Sequence, residues 1–145
     1  MFPFVEENTA SRQRLQELVR RLKPADFSRA TPAGWSVAAL LVHVAFYDNR
    51  ILALLRRWKA HGVDDSPIDV EAINEALKPL FHAIDPQVAA QLCVSSAEAV
   101  DTELETITPE LVQAIEASPT HFRFNRGLHR NDHLAEIEKL LGSLQ

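Results

Sequence analysis

Three histidines in this chain are spaced so that they could bind a divalent metal ion. His129 and His133 lie four residues apart near the C-terminus, and His43 lies in an apolar stretch that follows Trp35 and Ser36. Residues at positions i and i+4 share one face of a helix, and a third imidazole from another helix would complete three ligands on one side of a metal. We therefore predict a metal site formed by His43, His129 and His133.

The type of ligand indicates which metals and which chemistry the site would favour. Neutral imidazole suits zinc or nickel, with ferrous iron as a further candidate, and three nitrogen ligands leave positions open for water or a substrate. An open position favours Lewis-acid chemistry over a purely structural role. Asp132 and Glu136 are close to the histidine pair, and Glu136 has the better angular position to orient an imidazole.

A histidine pair at this spacing also occurs on helices that bind no metal, so a bundle without metal is an alternative. His129 and His133 share an arc with Ile137 and Leu140. Burying two imidazoles without ligation or good hydrogen bonds is costly, which favours the metal site. No metal role is assigned to the histidines near predicted helix ends or loops, which are His61, His82 and His121.

Four main helices and two shorter ones are predicted to hold these side chains in place. The chain has only four glycines, and it lacks the Asn-Gly and Asp-Gly pairs that are typical of β-hairpins. The predicted helical segments are 9–23, 36–60, 70–84, one that begins at residue 85, 110–117 and 126–141. We expect an all-α fold, and the simplest architecture is a four-helix bundle with a long crossover.

The second predicted helix carries further candidates for the site. At 100° per residue, His43, Tyr47 and Arg50 fall on one inward arc with Leu40. A cation on such an arc favours a nearby cavity or anion, so Arg50 is a candidate for holding an anionic group; a solvated or ion-paired arginine is the alternative. Tyr47 is a candidate hydrogen-bond donor near the metal. Asn74 is a candidate for the mouth of the pocket, or else a local hydrogen-bonding residue.

Length and composition limit the class of protein. A chain of 145 residues with 46% apolar residues can bury one core, so a single domain over 1–145 is expected. The lack of an apolar run of about 18 residues predicts a soluble, cytoplasmic protein without membrane attachment. A net charge of −5 disfavours nucleic acid as a partner. The single cysteine, Cys93, excludes an internal disulfide and is expected to be a buried, inert thiol.

Short motifs along most of the chain resemble those of a known superfamily. The motifs are Gly-Trp-Ser at 34–36, Leu-Leu-Val-His at 40–43, Tyr-Asp at 47–48, Ile-Asn at 73–74 and His-Arg-Asn-Asp-His at 129–133. Together they resemble the DinB/YfiT superfamily of small helical metalloproteins. By motif position, the resemblance implies that His43, His129 and His133 hold a divalent metal.

The resemblance also implies an architecture and a range of functions. It implies a four-helix bundle in up-down-down-up order, often as a homodimer. Several relatives are transferases or isomerases that use low-molecular-weight thiols such as bacillithiol or mycothiol, and others are grouped as metal-dependent hydrolases. The expected function is a metal-dependent transferase of the thiol S-transferase type, acting on a small-molecule substrate. A metal-dependent hydrolase and a noncatalytic small-molecule-binding or stress-response bundle are the alternatives.

Overall fold

The computed structural model describes residues 1–142, and these residues form six α-helices and no β-strand. The helices are α1 (Pro3–Arg21), α2 (Val37–His61), α3 (Val70–His82), α4 (Pro86–Glu105), α5 (Pro109–Glu116) and α6 (Gly127–Gly142). A short 3-10 helix, Pro24–Ser28, follows α1. The predicted all-α fold is confirmed. Residues 143–145, the last three of the expected domain, lie outside the described residues.

Four of the helices surround a common core. α2 packs against α4 and α6, and α1 packs against the same two helices, so the four long helices form a ring of neighbours. α3 lies against α2 and continues to its end through Pro79, although proline inside a helix usually kinks or breaks it. Each long helix contributes a side chain without solvent exposure to the core, and examples are Leu15, Leu41, Ala97 and Ile137.

Side-chain pairs show how the long helices run relative to one another. Residue numbers rise together along α1 and α6, whereas they run in opposite directions between α1 and α4 and between α2 and α6. The pairs are Asn8–Arg126, Arg14–Glu138, Arg12–Asp101, Gln16–Glu98, His43–His133 and Asp48–Arg126. These pairings agree with the up-down-down-up order that the resemblance implies, although the exact topology stays a prediction.

α2 begins and ends where its capping residues predict. The Ser36 hydroxyl accepts a hydrogen bond from the backbone N–H of Ala39 at 3.0 Å, and Gly62 takes a positive φ of 84° after the last turn. The Ser36 N–H donates to Nε2 of His82 at 3.0 Å, which ties the start of α2 to the end of α3. His43 therefore lies two turns into a firmly placed helix.

The expectation that no apolar run reaches the length of a membrane span is wrong, because α2 is one described helix that is long and apolar enough to cross a membrane. Its apolar window is 72% buried inside the protein, because α4 and α6 cover it. This burial is typical of the central helix of a soluble protein. The cytoplasmic location stays a prediction.

α1 starts earlier than its sequence pattern predicts. The predicted start of this helix at residue 9 is wrong, because the helix begins at Pro3. Proline suits the first helical position, since its missing N–H would have no partner there. Asn8 is instead buried within the helix, where its side chain donates to the carbonyl of Phe124 at 3.0 Å and accepts from the N–H of Arg126 at 2.7 Å. Asn8 thus anchors the segment before α6 to α1.

Candidate metal centre

The three predicted ligands converge from two helices. α2 supplies His43, and α6 supplies His129 and His133 from successive turns. Their Nε2 atoms form a triangle with sides of 3.1 Å between His43 and His133, 3.2 Å between His43 and His129, and 3.1 Å between His129 and His133. Nitrogens bound to one zinc ion at about 2.0–2.1 Å are separated by roughly 3–3.4 Å. The triangle therefore fits three ligands of a single divalent metal.

The surroundings of the triangle suit imidazoles that present lone pairs to a cation. Nδ1 of His133 donates to Oε1 of Glu136 at 3.0 Å, which turns the Nε2 lone pair of His133 towards the other two rings. Asp132, the other acidic candidate, is exposed to solvent. Within residues 1–142, the Nδ1 atoms of His43 and His129 have no hydrogen-bond partner. When all three Nε2 atoms are unprotonated, as a metal requires, their lone pairs at this separation repel one another unless a cation lies among them, so the donor set fits a metal ion.

A cavity of about 410 Å³ opens beside the triangle. His43 and His129 form part of its wall, and the ring of Tyr47 lies with its centroid 5.1 Å from that of His43 and 5.4 Å from that of His129. The Tyr47 hydroxyl donates to Oδ1 of Asn74 at 2.7 Å. Both Tyr47 and Asn74 thus lie where the sequence predicts, in a pocket next to the histidines.

Arg50 lines the same cavity one turn further along α2. Its guanidinium donates to the backbone carbonyl of Ser66 at 2.8 Å, in the segment between α2 and α3. A carbonyl is a neutral acceptor, so this bond leaves the positive charge of Arg50 uncompensated. The expected role of Arg50 in holding an anion stays a prediction.

The amino-acid sequence also matches the model of a known domain family. The model is that of the mycothiol maleylpyruvate isomerase N-terminal domain, and it matches residues 9–129. The chain belongs to this family. The family is part of the DinB/YfiT-like helical superfamily, so the resemblance found in the motifs is confirmed. The match includes His43 and His129 and ends four residues before His133. No curated protein and no solved structure matches the chain.

In this protein, burial keeps two of the three histidines neutral at physiological pH. Burial, with a smaller contribution from repulsion by His133, lowers the pKa of His43 to about 4. Burial is also the main cause that lowers the pKa of His129 to about 2, followed by repulsion from His133 and His43. A metal must compete with protons for imidazole, so neutral rings are ready ligands at pH 7.

The lowered pKa values predict how the stability of the metal-free protein depends on pH. Below about pH 6.5 the unfolded chain takes up protons that the folded imidazoles refuse, so stability is lost as the pH falls towards the folded pKa of His43, about 4. We expect the urea concentration at the unfolding midpoint to be lower at about pH 5 than at about pH 7.5. The decrease should be smaller in the His129→Leu variant, because its unfolded chain has no imidazole at position 129 to take up a proton. Urea unfolding at both pH values measures this, and an equal fall in both proteins would contradict the prediction.

A buried ion network lies one turn from the triangle, and the sequence reasoning missed it. Nε of Arg126 donates to Asp48 at 2.9 Å, and Nε of Arg130 donates to the other carboxylate oxygen of Asp48 at 3.0 Å. Arg130 also forms two bonds with Asp101, at 2.8 and 3.0 Å. All four side chains are buried, and Arg130 and Asp48 have no solvent exposure.

The network fixes α6 against the three other long helices. Asp48 belongs to α2 and Asp101 to α4, while the guanidinium of Arg130 also donates to the carbonyl of Asn8 and the hydroxyl of Ser11 in α1. Arg130 directly follows His129 in the chain. These bonds therefore fix how α6 is rotated about its axis and how closely it packs on the bundle, and with that the positions of its histidines. The signal for this role was the pair of arginines at positions 126 and 130, which are one helical turn apart, with Arg126 directly before α6 and Arg130 in its first turn.

The remaining candidates from the sequence lie outside the triangle. The Trp35 ring lies 5.3 Å from that of His43 and 6.2 Å from that of Phe81, and it closes this side of the site. Cys93 is buried, and burial raises the pKa of its thiol, as expected for an inert core residue. The histidine cluster found in the described part of the chain contains none of the other three histidines, which are His61, His82 and His121.

Proposed function

We propose that this protein binds one divalent metal ion through His43, His129 and His133 and activates a low-molecular-weight thiol, such as mycothiol, for reaction with a small electrophile. The reaction would be an S-transfer or a thiol-dependent isomerisation. The observation that carries the proposal is the triangle of Nε2 atoms at the wall of an open cavity. The family's name, which joins a thiol to an isomerase, supports the choice of a thiol.

The three histidines would supply neutral nitrogen ligands. The two most buried rings would not need to release a proton before the metal binds. A divalent metal held there would lower the pKa of a bound thiol, so that thiolate forms near neutral pH. His43 and His129 are already kept neutral by burial. Glu136 holds the ring of His133 in the required orientation.

Tyr47 would stabilise negative charge that develops on an oxygen of the electrophile. Burial raises the pKa of Tyr47, and the opposing effect of Arg50 is smaller, so the phenol stays protonated and able to donate. Its hydroxyl now donates to Asn74, an acceptor that a substrate oxygen would replace. This role corresponds to electrostatic stabilisation by a fixed donor in a partly buried site.

The size of the cavity supports a reaction between two substrates rather than hydrolysis. The cavity of about 410 Å³ beside the triangle shares Arg50, Ile68 and His121 with a second cavity of about 380 Å³. Pockets for drug-sized ligands measure about 300–1,000 Å³. A thiol and an electrophile therefore have room side by side, whereas hydrolysis needs room for one substrate and a water molecule.

Cobalt(II) substitution tests the proposed activation of a thiol. When 2-mercaptoethanol is added to the cobalt-loaded protein, we expect a near-ultraviolet charge-transfer band, because sulfur would enter the open coordination position. Ethylene glycol, in which a hydroxyl replaces the thiol, should leave the spectrum unchanged. Formation of a thioether from the thiol and an aryl chloride, with release of chloride, would then measure turnover.

Two further results would separate the parts of the proposal. The His43→Ala variant should show neither the cobalt spectrum nor turnover, because one ligand is missing. A protein that binds cobalt with one ion per chain, but whose spectrum does not respond to any added thiol, would contradict thiol activation while leaving the metal site in place.

A further inference from the structure

The second cavity, of about 380 Å³, combines buried apolar side chains with charges that cancel. Leu54 and Trp58 of α2 lie in its wall and are buried, and the Phe122 ring lies 5.4 Å from that of Trp58. Arg50 and Asp65 contribute one charge of each sign to the wall. A wall of this kind favours an uncharged ligand with apolar surface over an ion.

The indole N–H of Trp58 is a hydrogen-bond donor without an acceptor. Within residues 1–142, the buried side-chain nitrogens that lack a partner are Nδ1 of His43, Nδ1 of His129 and Nε1 of Trp58. The first two belong to the proposed metal ligands, whereas Trp58 lies in the wall of the second cavity and is only 2% exposed. Buried donors almost always have a partner, so this one indicates an acceptor that a ligand supplies. Indole donates and does not accept, so the ligand atom must be an acceptor such as a carbonyl oxygen.

Contacts between aromatic rings hold this wall in place without a ligand. The ring of Phe122 lies 4.9 Å from that of Phe124, which stacks on Phe4 of α1 at 5.2 Å. The irregular segment between α5 and α6 is therefore tied to α1 as well as to α2. A cavity that exists before the ligand arrives loses less conformational entropy when the ligand binds.

Trp58 is far from the histidine triangle, although the two cavities join. Trp58 and His43 lie on the same helix, and at a rise of about 1.5 Å per residue they are roughly 22 Å apart along its axis. Both cavities contain Arg50, Ile68 and His121. A group bound at Trp58 thus takes no part in chemistry at the triangle, but it can belong to a molecule that extends towards it.

We infer that the second cavity binds an uncharged ring that carries one hydrogen-bond acceptor, with the indole N–H of Trp58 as the donor. The ring is the nonreacting end of the electrophilic substrate, and in that respect the inference rests on the proposed function. An aromatic ring suits the site best, because ring pairs with Trp58 and Phe122 add to the apolar area that is buried. Binding of the ring itself requires no metal.

NMR of the indole N–H groups in the metal-free, nitrogen-15-labelled protein tests the inference, with acetophenone as the probe. The chain has two tryptophans, so the Trp35→Phe variant identifies the signal of Trp58. We expect acetophenone to move the Trp58 proton signal to lower field in a saturable way, because a hydrogen bond forms. α-Methylstyrene has the same ring but a CH₂ group in place of the carbonyl oxygen, so it should cause no such low-field shift. A Trp58 signal that acetophenone leaves unmoved, or that both compounds move equally, would overturn the inference.

Two variants measure the contribution of the donor. Trp58→Phe keeps an aromatic ring and removes the N–H, so the affinity for acetophenone relative to that for α-methylstyrene should fall roughly fivefold. Trp35→Phe removes the other indole, which lines neither cavity, and should keep the ratio of the unmodified protein. Equal ratios in the two variants would contradict the role of Trp58. If Trp58→Phe does not fold, the NMR comparison in the unmodified protein decides.

The His43→Ala variant keeps the inference separate from the proposed function. It should lose the cobalt spectrum yet bind acetophenone as the unmodified protein does, because His43 does not line the second cavity. Acetophenone binding in a protein whose cobalt spectrum ignores thiols would support the ring site and contradict thiol activation alone. A cobalt spectrum that responds to thiols, without acetophenone binding, would contradict the ring site alone.

Discussion

Replacing His129 with alanine is expected to abolish stoichiometric metal binding. The change removes one of three nitrogens that form a triangle with sides of 3.1–3.2 Å, and the remaining pair cannot enclose a metal from three directions. Changes to groups that only orient a ligand cost about 10–100-fold in affinity, so loss of a ligand should cost at least about a hundredfold. Elemental analysis of protein purified without an affinity tag, and competition with a chelator, measure the effect.

His121 and Glu136 provide graded controls for this experiment. His121 lines the same cavity but lies outside the triangle, so His121→Ala should keep one metal ion per chain. Glu136→Gln removes the charge of the group that orients His133, so it should weaken binding by a smaller factor, about tenfold. Retention of one metal ion per chain by His129→Ala, with unchanged affinity, would show that the triangle is not the metal site.

Much of the site could be predicted because its signals are local. The spacing of His129 and His133 fixes their shared face on any helix, and Ser36 and Gly62 fix where α2 begins and ends. The inward arc of α2 then places His43 and Tyr47 on the core side. Each of these inferences needs only the helical period and the chemistry of caps, and the structure agrees with them.

The features that the sequence could not predict depend on partners far away in the chain. α1 extends to Pro3 where the ring of Phe4 stacks on that of Phe124, with the centroids 5.2 Å apart, and no local pattern announces a contact over such a separation. Likewise, Asp48 and Asp101 look like ordinary solvated acids until the fold places Arg130 between them and Arg126 against Asp48. Charged residues are exposed by default, so a buried network is invisible without the tertiary pairing.

The sequence also could not show that Arg50 and Arg123 lie in the wall of the same cavity. The helical arc indicates that Arg50 points inward, but its partner Ser66 lies in the segment between α2 and α3. Arg123 lies in the irregular segment before α6, where helical periodicity carries no information. Only the folded chain shows that both line one cavity, whose wall contains no carboxylate.

Replacing Asp48 with alanine is expected to cause the largest loss of folding stability of any change near the site. Asp48 accepts bonds from both Arg126 and Arg130, and it has no solvent exposure. Burial by itself lowers the pKa of Arg130, while Asp48 and Asp101 raise it, and the net shift is upward, so the attraction of the two acids outweighs the desolvation of the buried guanidinium. Breaking a buried ion pair from one side costs about 3–5 kcal/mol, because the other charge is left buried without its partner.

The comparison that isolates this effect is with Glu138→Ala. Glu138 pairs with Arg14 between α1 and α6 at 2.9 Å, but both side chains are about a third exposed, and exposed pairs contribute about 0–1 kcal/mol. Urea unfolding of the metal-free variants should therefore give a much lower midpoint for Asp48→Ala than for Glu138→Ala. Equal midpoints would mean that solvent or a shifted side chain compensates Arg130 once Asp48 is gone.

The same variant separates a structural from a positioning role for Asp48. If the network only stabilises the fold, the Asp48→Ala protein that remains folded should bind cobalt(II) with the unmodified spectrum and affinity. We expect weaker binding and a changed spectrum instead, because Arg130 directly follows His129 and loses one of the two acids that set the rotation of α6. A small displacement of His129 would lengthen two sides of the nitrogen triangle, so the metal reports the position of α6 more sensitively than the unfolding midpoint does.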